Sequence, residues 1–184
     1  LLATLADKPD VLALSYHITY WNSLGWRDPL SFEAATSRQQ SYGVALGESR
    51  VYTPELIVQG KQDVVGSDAS AVKNAISGAA QSLWIPLSIR REGKKLHIHA
   101  TSPVSLDADI LLIGYLSHSR NKVPRGENAG TVAEHRNSVV SIQSLGKWNG
   151  KPLDLDADVP QGDGYAVLVQ SDNYGPVVGG GWGH

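Results

Sequence analysis

A threonine–proline pair is the first candidate for chemistry in this sequence. Thr53 and Pro54 open an apolar run that enters a turn at Gly60. A cis peptide bond before Pro54 would bend the chain sharply and present the backbone of Thr53 to a neighbouring site. A trans proline at the start of a strand is the ordinary alternative. The pattern by itself leaves both alternatives open.

Two histidines could contribute to a metal site. His97 and His99 are two residues apart in a predicted strand, so they share one face. With His118 or His135 they could bind copper or zinc. The spacing is not specific, because such a pair on the solvent face of a strand is usually polar surface. We therefore expect no bound metal and no cofactor.

A glycine-containing loop could bind an anion. Arg125 stands beside Glu127 and Asn128, and Gly126 and Gly130 lie in the same stretch. Glycine and asparagine allow positive φ, so backbone N–H groups could converge on an anion while Arg125 holds a carboxylate. Alternatively, Arg125 and Glu127 pair with each other and fix the loop. The spacing matches neither a dinucleotide fingerprint nor a phosphate loop.

Composition excludes several classes of protein. The chain has 184 residues, of which 41% are hydrophobic and 18% are charged, with a net charge of −2. This balance excludes intrinsic disorder, and it gives no general attraction for nucleic acid. No apolar run approaches the roughly 20 residues of a membrane span. The chain has no cysteine, so it holds no disulfide, thiolate metal site or cysteine nucleophile. It also has no methionine and opens within an amphipathic pattern, so we expect further residues upstream of Leu1.

Residues 1–82 alternate helical and strand patterns and predict an α/β unit. The strand predicted at 11–18 is apolar on both faces, which is typical of a parallel sheet. The helix predicted at 31–46 ends at Gly47, and a last helix begins at Ser67 or Asp68. The buried stripe predicted for that helix consists of Val72, Ile76, Ala79, Ala80 and Leu83. The other elements predicted here are a helix at 1–6 and a hairpin of strands at 51–58 and 62–65.

Residues 83–184 predict an antiparallel, sandwich-like β-rich half. Asp154, Asp156 and Asp158 alternate along an extended stretch that we interpret as solvated surface. We expect the glycine-rich end to be frayed. The predicted strands are 85–91, 95–101, 109–116, 138–143, 165–170 and 174–178.

Several longer motifs resemble one particular family, the uncharacterised, secreted, thioredoxin-like proteins grouped as DUF1223. The first group of motifs comprises Tyr16-His17-Ile18-Thr19-Tyr20-Trp21, Leu24-Gly25-Trp26-Arg27-Asp28-Pro29, Arg38-Gln39, Tyr42, Ala45-Leu46-Gly47 and Val51-Tyr52-Thr53-Pro54. The second comprises Arg125-Gly126-Glu127-Asn128-Ala129-Gly130, Asn137, Val139-Val140, Leu145-Gly146 and Trp148-Asn149-Gly150. Two positions depart from the family pattern, since Thr19 stands in place of an aspartate and Thr131 in place of an arginine.

The resemblance implies a thioredoxin-like first half whose first strand and Cys-x-x-Cys segment precede Leu1. That strand would lie between residues 11–18 and the strand that follows Pro54. The resemblance also implies a periplasmic or secreted protein, and a thiol–disulfide oxidoreductase acting on a protein thiol or disulfide. The chain without its cysteines would be inactive.

The same resemblance suggests which residues line the site. Trp21, Trp26, Tyr52 and Tyr20 would form an aromatic rim around the cysteine pair and Pro54, beside Thr53, although ordinary packing is the alternative. His17, as an imidazolium, would lower the pKa of a neighbouring cysteine, although a simple structural hydrogen bond is more common. Two other functions stay open: a non-enzymatic binding module that uses the loop at 125–130, and metal handling.

Overall fold

The structure is a computed structural model that describes residues 1–24, 26–48, 50–82, 84–101, 106–125 and 129–184. The first half contains α1 (Leu2–Ala6), a 3₁₀ helix (Tyr20–Leu24), α2 (Glu33–Leu46), β1 (Glu55–Val58), β2 (Gln62–Val65) and α3 (Ala69–Ala79). The second half contains β3 (Ile85–Pro86), β4 (Ser88–Glu92), β5 (Lys95–Ala100), β6 (Ala108–Lys122), β7 (Val132–Trp148), β8 (Leu153–Asp158), β9 (Gly164–Ser171) and β10 (Val177–Gly183).

The helix ends follow the predicted capping residues. The Asp68 carboxylate accepts hydrogen bonds from the backbone N–H groups of Ser70 at 3.0 Å and Ala71 at 2.9 Å, and so caps α3. Gly47 ends α2 with φ 75°, a conformation that glycine adopts without a steric penalty. The α2 helix begins two residues later than predicted, because Phe32 is still extended. Leu83, predicted for the buried stripe of α3, lies outside the described residues.

The second half is a sandwich of two sheets. Five strands follow the order β3-β10-β9-β6-β7, and three follow the order β4-β5-β8. All neighbours are antiparallel except β10 and β3. Buried side chains of both sheets form a shared core that includes Leu96, Ile98, Ile110, Val167 and Val169. The prediction of an antiparallel β-rich half is therefore confirmed.

The first half covers the outer face of the five-stranded sheet. Leu12, Leu14 and Phe32 pack against Ile113 and Leu168 on that face. Strand β9 consequently has a layer on each side, and all its residues from Gly164 to Gln170 are buried. Double coverage explains why β9 is a continuous apolar run without polar alternation.

Residues 11–18 depart from the predicted parallel sheet of the first half. Val11 and Ala13 pack with α1 and α3, whereas Leu12 and Leu14 pack on the five-stranded sheet, so both faces are used as predicted. The only described strand pairing in this segment is a parallel bridge between Ser15 and Ser138 of β7. Strand β1 pairs with β2 alone. The segment therefore lacks the parallel partner that a sheet of the first half requires.

The glycine-rich end is ordered, and the prediction that it is frayed is wrong. Strand β10 pairs with β9 and β3. A Cβ atom on Gly179 would lie 2.5 Å from the Ile85 carbonyl oxygen, and one on Gly180 would lie 2.6 Å from that of Val167. The glycines thus permit a close approach between neighbouring backbones. The strand predicted at 174–178 starts later than expected, because Tyr174 lies in the turn before β10.

Other strand predictions differ in extent. The predicted strand at 85–91 is divided into β3 and β4, which belong to different sheets. Strands β6 and β7 have 15 and 17 residues, longer than their patterns indicated. Strand β8 carries Asp154, Asp156 and Asp158 on exposed positions and joins the three-stranded sheet. No described helix is long and apolar enough to cross a membrane. The domain boundary between residues 82 and 83 stays a prediction.

Candidate functional site

A large open groove lies between residues 11–18 and β1, and we call it the central groove. Its volume is about 1750 Å³. Pockets for small molecules usually measure roughly 300–1,000 Å³, so this space fits a polypeptide segment better than a small ligand. The lining is mostly apolar and includes Leu2, Leu5, Val11, Leu12, Ala13, Leu14, Leu56, Ile57, Val58 and Ile76.

The two long walls of the central groove are the strand β1 and residues 11–18, which make a single strand-type bridge at Ser15. Strand β1 belongs to a two-stranded sheet, so one of its edges has no neighbouring strand among the described residues. On the other wall, Ser15 directs its N–H and C=O groups to β7. Alternation along an extended chain therefore directs those of Leu14 and Tyr16 to the opposite side. Within the described part of the chain these two residues make no backbone hydrogen bond. Such unpaired edges are templates for an added strand.

Thr53 and Pro54 lie on the wall of the central groove where β1 begins, and the peptide bond between them is cis. The Tyr20 hydroxyl and the Trp21 indole N–H donate to Thr53 Oγ1 at 3.3 and 3.2 Å. Trp21 is 49% exposed and, like Trp26, lines the groove. Tyr20 and Trp21, two members of the predicted aromatic rim, thus lie beside Thr53.

Tyr52 does not belong to this rim. Its hydroxyl donates to Asp63 Oδ2 at 2.8 Å, and it is not among the residues that line the central groove. Burial and this hydrogen bond to a carboxylate raise the pKa of Tyr52. Gln39 Nε2 donates to the Tyr52 carbonyl oxygen at 2.9 Å and to Glu55 Oε2 at 2.7 Å. Tyr52 therefore fixes the hairpin rather than contacting a groove occupant.

Glu55 is the first residue of β1 and lines the central groove. Burial raises the pKa of its carboxyl group. The negative charges of Asp63 and Glu48 act in the same direction, and the hydrogen bond from Gln39 opposes them. Glu55 is thus a carboxyl group that holds a proton at higher pH than an ordinary glutamate.

His17 stands in a chain of hydrogen bonds that joins the two halves. Its Nδ1 lies 2.5 Å from Asp28 Oδ2, and its Nε2 lies 3.3 Å from Ser138 Oγ. Ser138 Oγ in turn lies 3.1 Å from Ser119 Oγ. Burial opposes ionisation of Asp28, but hydrogen bonds from His17 and from the Leu30 N–H hold the pKa of its carboxyl below the ordinary value. The order Asp–His–Ser is that of a hydrolase triad, yet Ser138 is fully buried and cannot reach a substrate. The arrangement orients the His17 ring.

His135 completes this cluster. Its ring meets that of His17 edge to face, with the centroids 4.6 Å apart. Burial and the neighbouring His17 lower the pKa of His135, and Asp28 partly opposes the effect. His135 Nε2 is buried and has no hydrogen-bond partner in the part of the chain that the structure describes. His17, Asp28 and His135 all line the central groove.

The two histidines on β5 belong to the three-stranded sheet and are not among the described residues that line the central groove. His97 Nδ1 lies 2.6 Å from Asp156, and its Nε2 lies 3.3 Å from Glu92, so carboxylates occupy both ring nitrogens. His99 is exposed and lies opposite Asp154. Among the described residues, no group of three or more histidine, aspartate or glutamate side chains could hold a metal ion.

The loop between β6 and β7 reaches the central groove through Arg125, which lines it. The loop is held by a hydrogen bond from the Gly130 N–H to the Val123 carbonyl oxygen at 2.8 Å, and Gly130 has φ 83°. Glu127 and Asn128, the other predicted ligand residues, lie outside the described residues. The structure thus brings Arg125 and His135 to one groove.

Sequence reasoning missed Asp28, Ser138, Gln39 and Glu55 as members of the site. Asp28 and His17 are 11 positions apart, and Ser138 and His17 are 121 apart. No helical or strand period links residues at such separations. Asp28 and Gln39 lie within the motifs that carry the family resemblance, but those motifs gave neither residue a role.

A β-sandwich with an α/β layer on its outer face, and with an open groove between β1 and residues 11–18, defines the class of this protein. A family model described as a protein of unknown function, DUF1223, matches residues 1–170, and the chain belongs to that family. No curated protein matches the sequence. The crystal structure of an Agrobacterium tumefaciens protein, determined as a structural genomics target, is similar, with a TM-score of 0.86 and 30% identity. The match covers 98% of this chain and 83% of that one.

Proposed function

We propose that this protein is a thioredoxin-like thiol–disulfide oxidoreductase that acts in the periplasm or outside the cell. Its cysteine pair would be carried by a strand and the start of a helix, contributed by a further segment of the polypeptide held in the central groove. The observation that carries the proposal is the pair of extended segments, residues 11–18 and β1, which face one space of about 1750 Å³. A strand placed there would pair on both sides.

The proposed reaction is exchange between the cysteine pair and a disulfide of a protein substrate. One thiolate attacks a substrate sulfur, the substrate S–S bond breaks, and the released substrate thiolate takes up a proton. The second thiolate then attacks the mixed disulfide and releases the other substrate sulfur as a thiol. Two electrons pass from the cysteine pair to the substrate, and the cysteine pair becomes a disulfide.

Residues of the present chain would shape that reaction. His17, oriented by Asp28 at 2.5 Å, would face the thiolate from the wall of the groove. A neighbouring imidazolium favours the thiolate, which is the reactive form of cysteine. Trp21 and Thr53, joined by a hydrogen bond at 3.2 Å, would border the entry of the substrate peptide.

Thiol counting and a disulfide-reductase assay on the product of the full-length gene test this function. We expect two thiols that appear only after reduction, together with turnover of a disulfide substrate. The variant His17→Ala should lower the rate at neutral pH, whereas the matched variant His99→Ala, on the exposed face of β5, should leave it unchanged. Circular dichroism would establish that both variants fold. Absent or unreactive thiols would overturn the proposal.

The alternative is a non-enzymatic binding module, and the position of Arg125 on the groove wall favours it. In that function the groove holds a ligand or partner and Arg125 contacts it. Arg125→Ala would then weaken binding, while Arg120→Ala, which removes an exposed arginine paired with Glu134, would not. A redox enzyme would retain its thiol chemistry in both variants.

A further inference from the structure

Arg38 is a buried cation on the wall of the central groove. Arg38 belongs to α2, and only 7% of the residue is exposed. Nη2 donates to the Tyr42 hydroxyl at 2.9 Å and to Gln170 Oε1 at 2.7 Å. The guanidinium carbon lies 5.8, 5.0 and 5.6 Å from the ring centroids of Tyr16, Tyr42 and Tyr174. The group is therefore enclosed by three aromatic rings and one amide.

This cation has no counter-ion among the described residues. No aspartate or glutamate oxygen of that part of the chain lies within 4.0 Å of the guanidinium. Burial raises the pKa of Tyr16 and of Tyr42, although Arg38 opposes the shift, so both phenols are neutral near pH 7. Arginine itself is charged at every physiological pH. A buried charge is normally paired, and here the pairing is incomplete.

The next residue on α2 also lacks a partner. Gln39 is 9% exposed, and its Oε1 is buried without a hydrogen-bond donor among the described residues. The orientation of the amide is fixed, because Nε2 already donates to the Tyr52 carbonyl oxygen and to Glu55 Oε2. A partner for Oε1 would have to be an N–H or O–H donor, and the central groove, which Gln39 lines, offers access to one.

We propose that the polypeptide segment received by the central groove carries an acidic side chain that pairs with Arg38. The same segment supplies a backbone N–H to Gln39 Oε1. This inference rests on the proposed function for the presence of a strand in the groove, and it adds the chemistry of that strand. An apolar ligand would leave both groups unsatisfied, and a free carboxylate would leave Gln39 Oε1 without a donor.

The three tyrosine rings offer a different account of Arg38. Contacts of a guanidinium with aromatic faces compensate part of the loss of water. If they compensate it fully, the charge of the groove occupant has no influence on binding. The two accounts therefore differ in one measurable quantity, which is the preference for an acidic over an isosteric neutral side chain.

Peptide binding to the protein measures that preference. The probes are seven-residue peptides of alternating valine and threonine, blocked at both ends, with glutamate, glutamine or lysine placed in turn at each of the three central positions. Moving the test residue by one position turns its side chain to the other face of the bound strand. At least one of the three positions therefore directs that side chain towards α2. We expect the best glutamate peptide to bind at least tenfold more tightly than its glutamine counterpart, and the lysine peptide to bind more weakly than both.

The variant Arg38→Gln completes a double-mutant cycle with these peptides. It should bring the glutamate and glutamine peptides to equal affinity, while Arg90→Gln, at an exposed arginine of β4, should preserve the difference. Arg38→Lys retains the charge and should keep part of the preference, which provides a second test if Arg38→Gln does not fold. Equal binding of both peptides to the unchanged protein, or a preference that survives in Arg38→Gln, overturns the inference.

Failure of the inference is distinguishable from failure of the proposed function. Equal binding of acidic and neutral peptides would show that Arg38 does not pair with an acidic side chain, while the groove still accepts strands. If no peptide of any charge binds, the groove is not a strand site, and both the inference and the structural basis of the proposed function fail. Repeating the titration with the product of the full-length gene identifies the source of the segment. If the full-length product no longer binds the peptides, its own chain supplies the segment that fills the central groove. If it still binds them, the proposed function is overturned and the inference about Arg38 is not.

Discussion

Ser15 and Ser138 form a parallel bridge that connects the wall of the central groove to the β-sandwich. The Ser15 N–H donates to the Asn137 carbonyl oxygen, and the Val139 N–H donates to the Ser15 carbonyl oxygen, both at 2.9 Å. β7 is the last strand in the order of its sheet, and Ser15 lies beside it through this one bridge. A strand in the central groove would then connect residues 11–18 to β1, and one sheet would run from β3 to β2.

Hydrogen exchange should alternate along the groove wall. The amide of Ser15 is bonded to β7, whereas those of Leu14 and Tyr16 make no backbone hydrogen bond in the described residues. We expect the Ser15 amide to exchange at least about tenfold more slowly than its two neighbours, a difference of ~1.4 kcal/mol in opening free energy. Residue-resolved exchange by NMR measures it. Equal protection of all three amides would contradict an unpaired edge.

The bond between Asp28 and His17 should stabilise the fold in a pH-dependent way. Asp28→Asn is expected to lower the free energy of unfolding by about 1.5–3 kcal/mol at pH 7, the usual contribution of a hydrogen bond to a charged group. The folded-state pKa of Asp28 is lowered, so this stabilisation is complete above the unfolded-state pKa of about 3.9 and is lost as the pH falls through the folded-state value.

Urea unfolding of both proteins between pH 2 and pH 7 would test this expectation. The two stabilities should converge in acid. Asp154→Asn serves as the control, because Asp154 is exposed on β8 and its replacement should change stability by less than about 0.5 kcal/mol. A constant difference between Asp28→Asn and the original protein at every pH would contradict the proposed charge dependence.

His135 should make the protein less stable in mild acid. Its folded-state pKa is lowered, so the unfolded chain binds a proton more readily. Stability is therefore full above the unfolded-state pKa of about 6.5 and declines as the pH falls from there through the folded-state value. His135→Phe should flatten this dependence in unfolding curves recorded between pH 5 and pH 7.5. An unchanged slope in that variant, equal to the slope of His99→Gln, would contradict the assignment.

Two glycines should respond to alanine in opposite directions. Gly180→Ala places a Cβ atom 2.6 Å from the Val167 carbonyl oxygen, and we expect it to destabilise the sheet by about 1–3 kcal/mol. Gly78 lies within α3, and a Cβ atom there would meet nothing within 4 Å, so Gly78→Ala should stabilise by about 0.5–1 kcal/mol. Thermal unfolding of both variants measures the difference. Similar shifts in the two variants would show that β10 does not require glycine.

The local elements were largely predictable because their causes lie within a few residues. Asp68 caps the helix that follows it, Gly47 ends the one before it, and the alternation at β5 places Leu96 and Ile98 in the core. These signals are short-range hydrogen bonds, backbone freedom and side-chain period. The same reasoning failed at β10, where a glycine run resembles a flexible end and its packing partners are distant in sequence.

The order of residues along the chain by itself determined four features: the absence of cysteine, the β-rich second half, the capped helices and the family motifs. Folding in three dimensions was needed to establish that His17 meets Asp28 and Ser138, that Arg38 meets Gln170 across 132 positions, and that β1 and residues 11–18 face one groove. The physical reason is range. Propensity and periodicity act over a few residues. These contacts, in contrast, form only when the first half packs against the outer face of the five-stranded sheet.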